Sequence, residues 1–188
     1  NNKNTFVVGY LGSIGTWYEF DKVIIFFQAI KKEIKNAKLN IISHSDSKEI
    51  RNIITKFNLD DNDIIINNVK HSEIHNFIKN FDISTFFIKQ CFSKKASCPT
   101  KLAESLAMGI PVVTGSDIGD TDNIILESKN KIGIIIKEFN QVEILLAIKT
   151  LKKTILNKEL KLECFNAAKK YFDLSVGVSK YEKIYDSI

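Results

Sequence analysis

The sequence contains little proline, cysteine or arginine, and it contains no long apolar run. Two prolines and eight glycines among 188 residues leave no stretch typical of a flexible linker or a low-complexity tail. The three cysteines, Cys91, Cys98 and Cys164, lack the spacing of a metal site, and their odd number favours a reducing compartment. No apolar segment approaches the roughly 18–20 residues that cross a membrane, and no signal peptide pattern opens the chain. We therefore expect a cytoplasmic location.

Lysine supplies almost all of the positive charge, because Arg51 is the only arginine. The formal net charge of +5 suits nucleic acid, an anionic membrane surface or a phosphorylated ligand. An AT-rich coding sequence produces the same lysine-rich composition, so the global charge does not choose among these partners. With 44% hydrophobic and 26% charged residues, the chain is expected to fold. Its length suits a single domain over residues 1–188.

Short apolar segments alternate with segments of helical periodicity along the whole chain. The predicted strands are Phe6–Leu11, Lys38–Ser43, Asp63–Asn67, Ile83–Ile88, Ile110–Thr114 and Gly133–Ile136. The predicted helices cover about 18–36, 47–57, 72–80, 99–108, 120–127, 140–156, 158–171 and 175–187. Parallel strands need crossover helices. We therefore predict an α/β, Rossmann-like three-layer sandwich with a six-stranded parallel sheet.

Two loops stand out at the predicted carboxyl edge of this sheet, where ligands of such folds bind. One spans residues 12–18 and contains two glycines and Trp17-Tyr18; the aromatic pair suits stacking on a sugar or base, or packing on a neighbouring element. The other spans 89–98 and leads into a helix. From Ile83 to Ala103 the chain has four lysines and no acid. The lysines are either a solvated face or part of an anion site.

The helix after the second loop is predicted to begin at Pro99 and to end before Gly109, since proline suits a first helical position and glycine suits a helix end. Thr100 and Lys101 then offer free backbone N–H groups to an anion. Glu104 follows one turn later. Its carboxylate suits a surface ion pair, and it equally suits the two hydroxyls of a ribose. The spacing leaves both roles open.

Other chemistry is less well supported. His71 and His75 share a helical face, but no cysteine or further carboxylate falls into register for a metal site. Gly9, Gly12 and Gly15 do not form the dinucleotide fingerprint, which disfavours a redox NAD domain. No nucleophile-elbow pattern surrounds a serine.

The segment from Ser93 to Val113 resembles the donor-site signature of family 4 (group 1) glycosyltransferases, through its Pro-Thr-Lys-x-x-Glu-x-Leu-Ala-x-Gly-x-Pro-Val-Val pattern. Tyr10–Tyr18 is similar to the family's first strand and loop, and Tyr181–Tyr185 to its closing helix. The resemblance implies the C-terminal, donor-binding half of a GT-B enzyme. It implies a nucleotide sugar as donor, retention of anomeric configuration, and no metal or other cofactor.

The resemblance also assigns roles to individual residues, although it names no catalytic one. Glu104 is implied to bind the ribose, and Val69 to flank the base. Gly12 and Ser13 are implied to approach the diphosphate. The positive charge that faces the phosphates is expected from Lys94, Lys95 or Lys101. The implied donor-binding set is Gly12, Ser13, Val69, Lys94, Lys95, Ser97, Pro99, Thr100, Lys101 and Glu104. The family's first motif glutamate is replaced here by Ala96.

The resemblance further implies an acceptor, either a sugar or a lipid-linked glycan, held by an N-terminal domain that the helix at 175–187 would contact. We expect a role in surface polysaccharide or lipid-linked glycan synthesis, peripheral membrane contact, and no nucleic acid partner. The isolated fragment is expected to be inactive. Two alternatives stay open: a sugar-nucleotide epimerase of related fold, and a non-catalytic nucleotide- or phosphate-binding module, which Ala96 favours.

Overall fold

The structure is a computed structural model that describes residues 5–128 and 131–187. Within these ranges it contains one six-stranded sheet, in which every neighbouring pair of strands is parallel. The strand order is β3-β2-β1-β4-β5-β6. The strands are β1 (Phe6–Leu11), β2 (Ala37–Ile42), β3 (Ile64–Asn67), β4 (Ile83–Phe86), β5 (Val112–Gly115) and β6 (Gly133–Ile136).

Helices connect the strands, and three more follow the sheet in the described residues. They are α1 (Phe20–Glu33), α2 (Ser47–Thr55), α3 (Ile74–Ile78), α4 (Thr100–Ala107), α5 (Thr121–Glu127), α6 (Gln141–Thr154), α7 (Leu160–Phe172) and α8 (Leu174–Tyr185). Short 3-10 turns lie at Asp61–Asp63, His71–Glu73 and Phe92–Ala96. The predicted α/β class and the six-stranded parallel sheet are therefore confirmed.

Several predicted boundaries are wrong by a few residues, for local reasons. The fourth strand ends at Phe86, because Ile88 forms an isolated antiparallel bridge with Tyr18 instead. The fifth strand begins at Val112, since Pro111 has no N–H to give to the ladder. Helix α4 begins at Thr100, because the ψ of Pro99 is extended at 111°.

The two faces of the sheet carry separate apolar clusters, as the alternation of side chains along a strand requires. Val8 and Tyr10 of β1 belong to the larger cluster, together with α1, whereas Leu11 belongs to the smaller one. That smaller cluster contains Ile74 and Ile78 of α3. Helices thus cover both faces, which buries the strands on both sides.

The sheet is unevenly paired around β1. All of β1 pairs with β2, from Phe6 opposite Ala37 to Leu11 opposite Ile42. Its pairing with β4 is confined to Val8–Ile83 and Gly9–Ser84. The ladder between β1 and β4 ends there, and a concave crevice lies at the carboxyl edge of the sheet beside β1.

Helix α8 packs loosely on the rest of the domain. None of its residues is buried in the part of the chain that the structure describes. Its exposed side chains include Leu174, Tyr181 and Tyr185. Contact with a further domain stays a prediction. Across the two described ranges, no helix has both the length and the apolar character needed to cross a membrane.

Candidate functional site

The crevice lies where the strand order reverses. From β1 the chain continues to β2 on one side, and from β4 it continues to β5 on the other. The loops after β1 and β4 are the two that the sequence singled out, and the structure joins them. The Glu19 N–H donates to the Phe87 carbonyl over 2.9 Å, and the Lys89 N–H donates to the Trp17 carbonyl over 2.8 Å. Switch points of this kind are where open α/β sheets bind ligands.

A concave site, here called the switch-point pocket, occupies this crevice. Loops after β1, β2 and β3 and the start of α4 contribute to it. It is lined by Leu11, Gly12, Ser13, Tyr18, Ile42, Ser43, His44, His71, Ile74, Thr100, Lys101 and Glu104. Five members of the donor-binding set predicted from sequence meet in this pocket.

Lys101 is the buried lysine of the switch-point pocket. Although it is the second residue of α4, it is only 5% exposed. Its side-chain nitrogen lies 3.7 Å from the ring centre of Tyr18, 5.3 Å from that of Tyr10 and 5.5 Å from that of Phe86. This nitrogen has no hydrogen-bond partner among the described residues. Burial lowers the pKa of Lys101 to about 7, against the attraction of Glu104.

Gly12 forms the wall that faces this nitrogen. Its φ is +128°, a conformation that side chains disfavour, and its N–H donates to the Ile42 carbonyl over 3.0 Å. The next residue, Ser13, accepts a hydrogen bond of 2.5 Å from the Tyr10 hydroxyl through its carbonyl. Burial raises the pKa of Tyr10, so its hydroxyl stays protonated and remains a donor. The turn after β1 is thereby held in place from both sides.

Glu104 lies one helical turn beyond Lys101 and also lines the pocket. Its Oε1 lies 3.2 Å from Nε2 of His71, and its side chain is partly exposed. His44 also lines the pocket, and its Nδ1 lies 3.0 Å from Oδ1 of Asn68. Sequence analysis disfavoured a metal site at His71 and His75, and the structure places His71 against Glu104. Within the described ranges, no group of three or more potential ligands is arranged to hold a metal ion.

The other two lysines of the donor-binding set lie outside the residues that line the pocket. Lys94 and Lys95 are in the 3-10 turn, and Lys94 places its ammonium 4.6 Å from the ring centre of Trp17. Lys95 is exposed, as is Ala96. The basic loop forms a rim of the site and is hydrogen-bonded to the loop after β5, because the Lys94 carbonyl accepts from the N–H groups of both Ser97 and Gly119.

The remaining predicted residues are Val69, Ser97 and Pro99, and none of them is among the residues that line the pocket. Val69 packs against the smaller apolar cluster and is not among the lining residues. Pro99 is buried, and its carbonyl accepts from Leu102 N–H over 2.9 Å. Ser97 contacts Gly119, where an added Cβ would lie 1.8 Å from the Ser97 oxygen.

Solved glycosyltransferases share this fold. The pneumococcal O-GlcNAc transferase GtfA, solved with UDP and GlcNAc, has a TM-score of 0.73 and 13% identity; the alignment covers 100% of this chain and 37% of that one. HepE from Anabaena, solved with UDP-glucose, has a TM-score of 0.72 and 17% identity. The alignment covers 98% of this chain and 50% of HepE. WaaG, a glycosyltransferase involved in lipopolysaccharide biosynthesis, has a TM-score of 0.67 and 15% identity. The alignment covers 90% of this chain and 43% of WaaG. The chain thus spans half or less of the length of each.

Sequence comparison gives the family. No curated protein sequence matches the chain. The sequence profile described as glycosyl transferases group 1 matches residues 1–171, which are most of the chain. This match supports the resemblance seen in the Ser93–Val113 segment and disfavours the epimerase alternative. The chain belongs to the glycosyl transferases group 1.

Proposed function

We propose that this chain is the donor-binding, C-terminal half of a GT-B glycosyltransferase, and that the switch-point pocket holds a nucleotide sugar. One observation carries the proposal. At the switch point, a helix start and a buried lysine face a bare glycine turn, while a carboxylate lies one turn further along the same helix. One part of the pocket therefore suits a negatively charged group, and another part suits hydroxyl groups that donate hydrogen bonds. A nucleoside diphosphate has both, because its phosphates are anionic and its ribose carries hydroxyls.

The diphosphate binds between the turn after β1 and the start of α4. The Lys101 nitrogen lies against the bare backbone of Gly12, and the backbone N–H groups of Ser13, Thr100 and Lys101 are donors for the phosphate oxygens. The positive end of the α4 dipole and the Lys101 amine supply charge. Lys94 and Lys95 remain on the rim, where they attract an anionic donor at longer range.

The nucleoside lies toward the loops after β2 and β3. Glu104 accepts hydrogen bonds from the two ribose hydroxyls, a bidentate contact strengthened by its charge. His71 orients that carboxylate and moves aside or shares it when the ribose binds. His44 and the segment around Val69 flank the base. Both GtfA and HepE are described as complexes with uridine nucleotides, so UDP is the first nucleotide to test.

The chemistry is the departure of a nucleoside diphosphate from the anomeric carbon, with transfer of the sugar to an acceptor hydroxyl. Negative charge grows on the diphosphate as its bond to the sugar breaks. Fixed donors and a nearby cation stabilise such charge most effectively in a site that excludes water. Helix α4 and Lys101 supply this stabilisation, so we propose a metal-independent reaction. Retention of configuration follows from the family resemblance.

The acceptor belongs to the rest of the enzyme. We propose that a further domain faces the switch-point pocket, binds an acceptor sugar or lipid-linked glycan, and covers α8. The exposed apolar side chains of Leu174, Tyr181 and Tyr185 suit that contact. The product is a surface polysaccharide or lipid-linked glycan made on the cytoplasmic side of a membrane.

Nucleotide-dependent thermal stabilisation tests the donor site. UDP, GDP, ADP and the matching nucleotide sugars are added to the chain, and at least one is expected to raise its melting temperature. Glu104→Gln removes charge at almost constant volume, and it should abolish most of this rise. Glu143→Gln, in the first turn of α6 and outside the pocket, is the matched control and should keep it. A chain that no nucleotide stabilises contradicts the proposal.

One specific feature favours a second candidate, a nucleotide-binding module without transferase activity. Ala96 stands where the family has its first motif glutamate, and in the structure it lies exposed in the rim turn. Such a module binds the nucleotide but transfers no sugar. Turnover of nucleotide sugars by the full-length parent decides between the two functions. Ala96→Glu should change turnover only if this position contacts the sugar.

A further inference from the structure

We propose that Lys101 couples donor binding to proton uptake: at mildly alkaline pH its side chain is mostly a neutral amine in the free protein, and it takes a proton from solvent when the diphosphate binds. This inference rests on the proposed function and adds a regulation of the same site by pH. The proton moves from solvent to Nζ of Lys101, and no other bond is made or broken.

The surroundings of Lys101 favour an uncharged amine in the free protein. The residue is 95% buried, and its nitrogen makes no hydrogen bond to any described residue. Its close neighbours are the rings of Tyr10, Tyr18 and Phe86. Aromatic faces attract a cation, but they replace only part of the hydration that an ammonium loses on burial.

The titratable groups around Lys101 do not provide the missing counter-charge. Tyr10 on β1 stays protonated, since burial raises its pKa. Glu104, on the same helix, attracts the amine, but burial outweighs it and holds the pKa of Lys101 at about 7. The Glu104 carboxylate faces His71 instead, at 3.2 Å. Tyr18 offers its ring face, and His44 is held by Asn68.

A bound diphosphate supplies what these neighbours lack. The nitrogen lies 2.6 Å from where a Cβ of Gly12 would be, so it lies against the turn beside which the proposed diphosphate binds. Two negative charges beside it favour the ammonium strongly. The complex therefore holds a full ion pair in a dry site, where it acts on the leaving diphosphate. Release of the nucleoside diphosphate returns the proton to solvent.

Two measurable properties follow. Above pH 7 the free amine is mostly neutral, so binding at pH 8 takes up about 0.9 proton per site. The dissociation constant rises with pH from 7 to 9, approaching about tenfold per unit. Nucleotide sugars are the right probes, because their diphosphate is esterified at both ends and does not itself titrate in this range.

Isothermal titration calorimetry at pH 8 measures the proton directly. UDP-glucose, GDP-mannose and ADP-glucose are each titrated into the chain in Tris and in HEPES, which differ in ionisation enthalpy. We expect binding heats that differ between the buffers by the amount due to about one proton. Lys101→Arg keeps the charge permanently, so it should bind without uptake. His44→Gln and His71→Gln are expected to weaken binding, since both residues line the pocket, but the number of protons taken up per bound molecule should stay the same.

The outcomes separate this inference from the proposed function. Binding with equal heats in both buffers, or uptake that survives Lys101→Arg and is lost in a histidine variant, overturns the inference alone. No binding of any probe between pH 6 and 9 overturns both. If the arginine variant does not fold, lysine Cε resonances of the unaltered chain give the answer: one should titrate near pH 7 and lose that transition in the complex, and its absence also overturns the inference.

Discussion

The side-chain nitrogen of Lys101 lies 2.6 Å from the position that a Cβ of Gly12 would occupy. A strand end and a helix start, 89 positions apart in the sequence, are thus in direct contact at the point where the sheet opens. The contact explains why residue 12 is a glycine on two grounds. Its φ of +128° disfavours a side chain, and the lysine occupies the space where that side chain would be.

Gly12→Ala tests this contact. The added methyl must displace Lys101 and adopt a disfavoured φ, which costs on the order of 1–3 kcal/mol for the backbone alone. We expect lower stability in urea and loss of the nucleotide-induced rise in melting temperature. Gly15→Ala is the matched control, because Gly15 also has a positive φ, +89°, but has no atom within 4 Å of the added Cβ. Equal loss of the nucleotide response in both variants would falsify the role of the contact.

Tyr18 provides the nearest ring to the lysine nitrogen. Tyr18→Leu removes the π face and should weaken nucleotide-sugar binding by about 5- to 30-fold, since a desolvated cation–π contact contributes about 1–2 kcal/mol. Tyr18→Phe keeps the face and should bind within about twofold of the unaltered chain on the same reasoning. Calorimetric dissociation constants compare the two variants. If the phenylalanine variant binds as weakly as the leucine variant, the hydroxyl and not the ring is what matters.

Lys101 also makes folding stability depend on pH. Its pKa is about 7 in the folded chain, against 10.5 for the ordinary side chain. Between these values the unfolded chain binds more protons, so stability rises with pH by up to about 1.4 kcal/mol per unit. Below pH 7 Lys101 is protonated in both the folded and the unfolded chain, so burying its charge lowers the free energy of unfolding by the full amount. Lys101→Met removes this dependence.

Urea unfolding at pH 7, 8 and 9 measures the effect. The free energy of unfolding of the unaltered chain, minus that of Lys101→Met, should increase by roughly 2 kcal/mol from pH 7 to pH 9. Lys95→Met, at an exposed lysine of the rim turn, should give a constant difference. A constant difference for Lys101→Met as well would show that its amine remains hydrated or charged in the folded chain.

Gly9 provides a prediction about the core beneath the site. A Cβ there would lie 1.9 Å from Cδ2 of Phe81, whose side chain is buried. Because the backbone of Gly9 needs no positive φ, the cost of Gly9→Ala is overpacking, about 1–3 kcal/mol. Phe81→Leu makes room, so the double variant should lose less stability than the two single variants summed. Additive losses in a double-mutant cycle would contradict direct contact.

The layout of the fold was accessible from sequence because buried parallel strands are apolar on both faces. Each of the six strands was found, with errors only at the ends. These errors arose where tertiary partners decide the boundary, as when Ile88 pairs with Tyr18. The loops at 12–18 and 89–98 were predicted to lie at the site for a physical reason: the carboxyl ends of parallel strands lie at the same edge of the sheet.

The burial of Lys101 was not predicted, because a lysine after a loop normally reaches solvent. One signal was present in the sequence: on a helix, Lys101 and Ser105 lie one turn apart beside the inward-facing Leu102 and Leu106, and all four are buried. The contact of His71 with Glu104 had no such signal. It depends on how the loop after β3 lies against α4, which no local pattern encodes.

The uneven pairing of β1 also bears on how the molecule folds. β1 and β2 join positions about 31 residues apart, whereas the short β1–β4 ladder joins positions 75 apart. Closing the longer loop costs more chain entropy and is rewarded by fewer backbone hydrogen bonds. We therefore expect the β1–β4 ladder to form after the β1–β2 ladder during folding. A ligand in the crevice would contact both sides of the β1–β4 ladder, and amide hydrogen exchange at Tyr10 and Thr85 would slow when it binds.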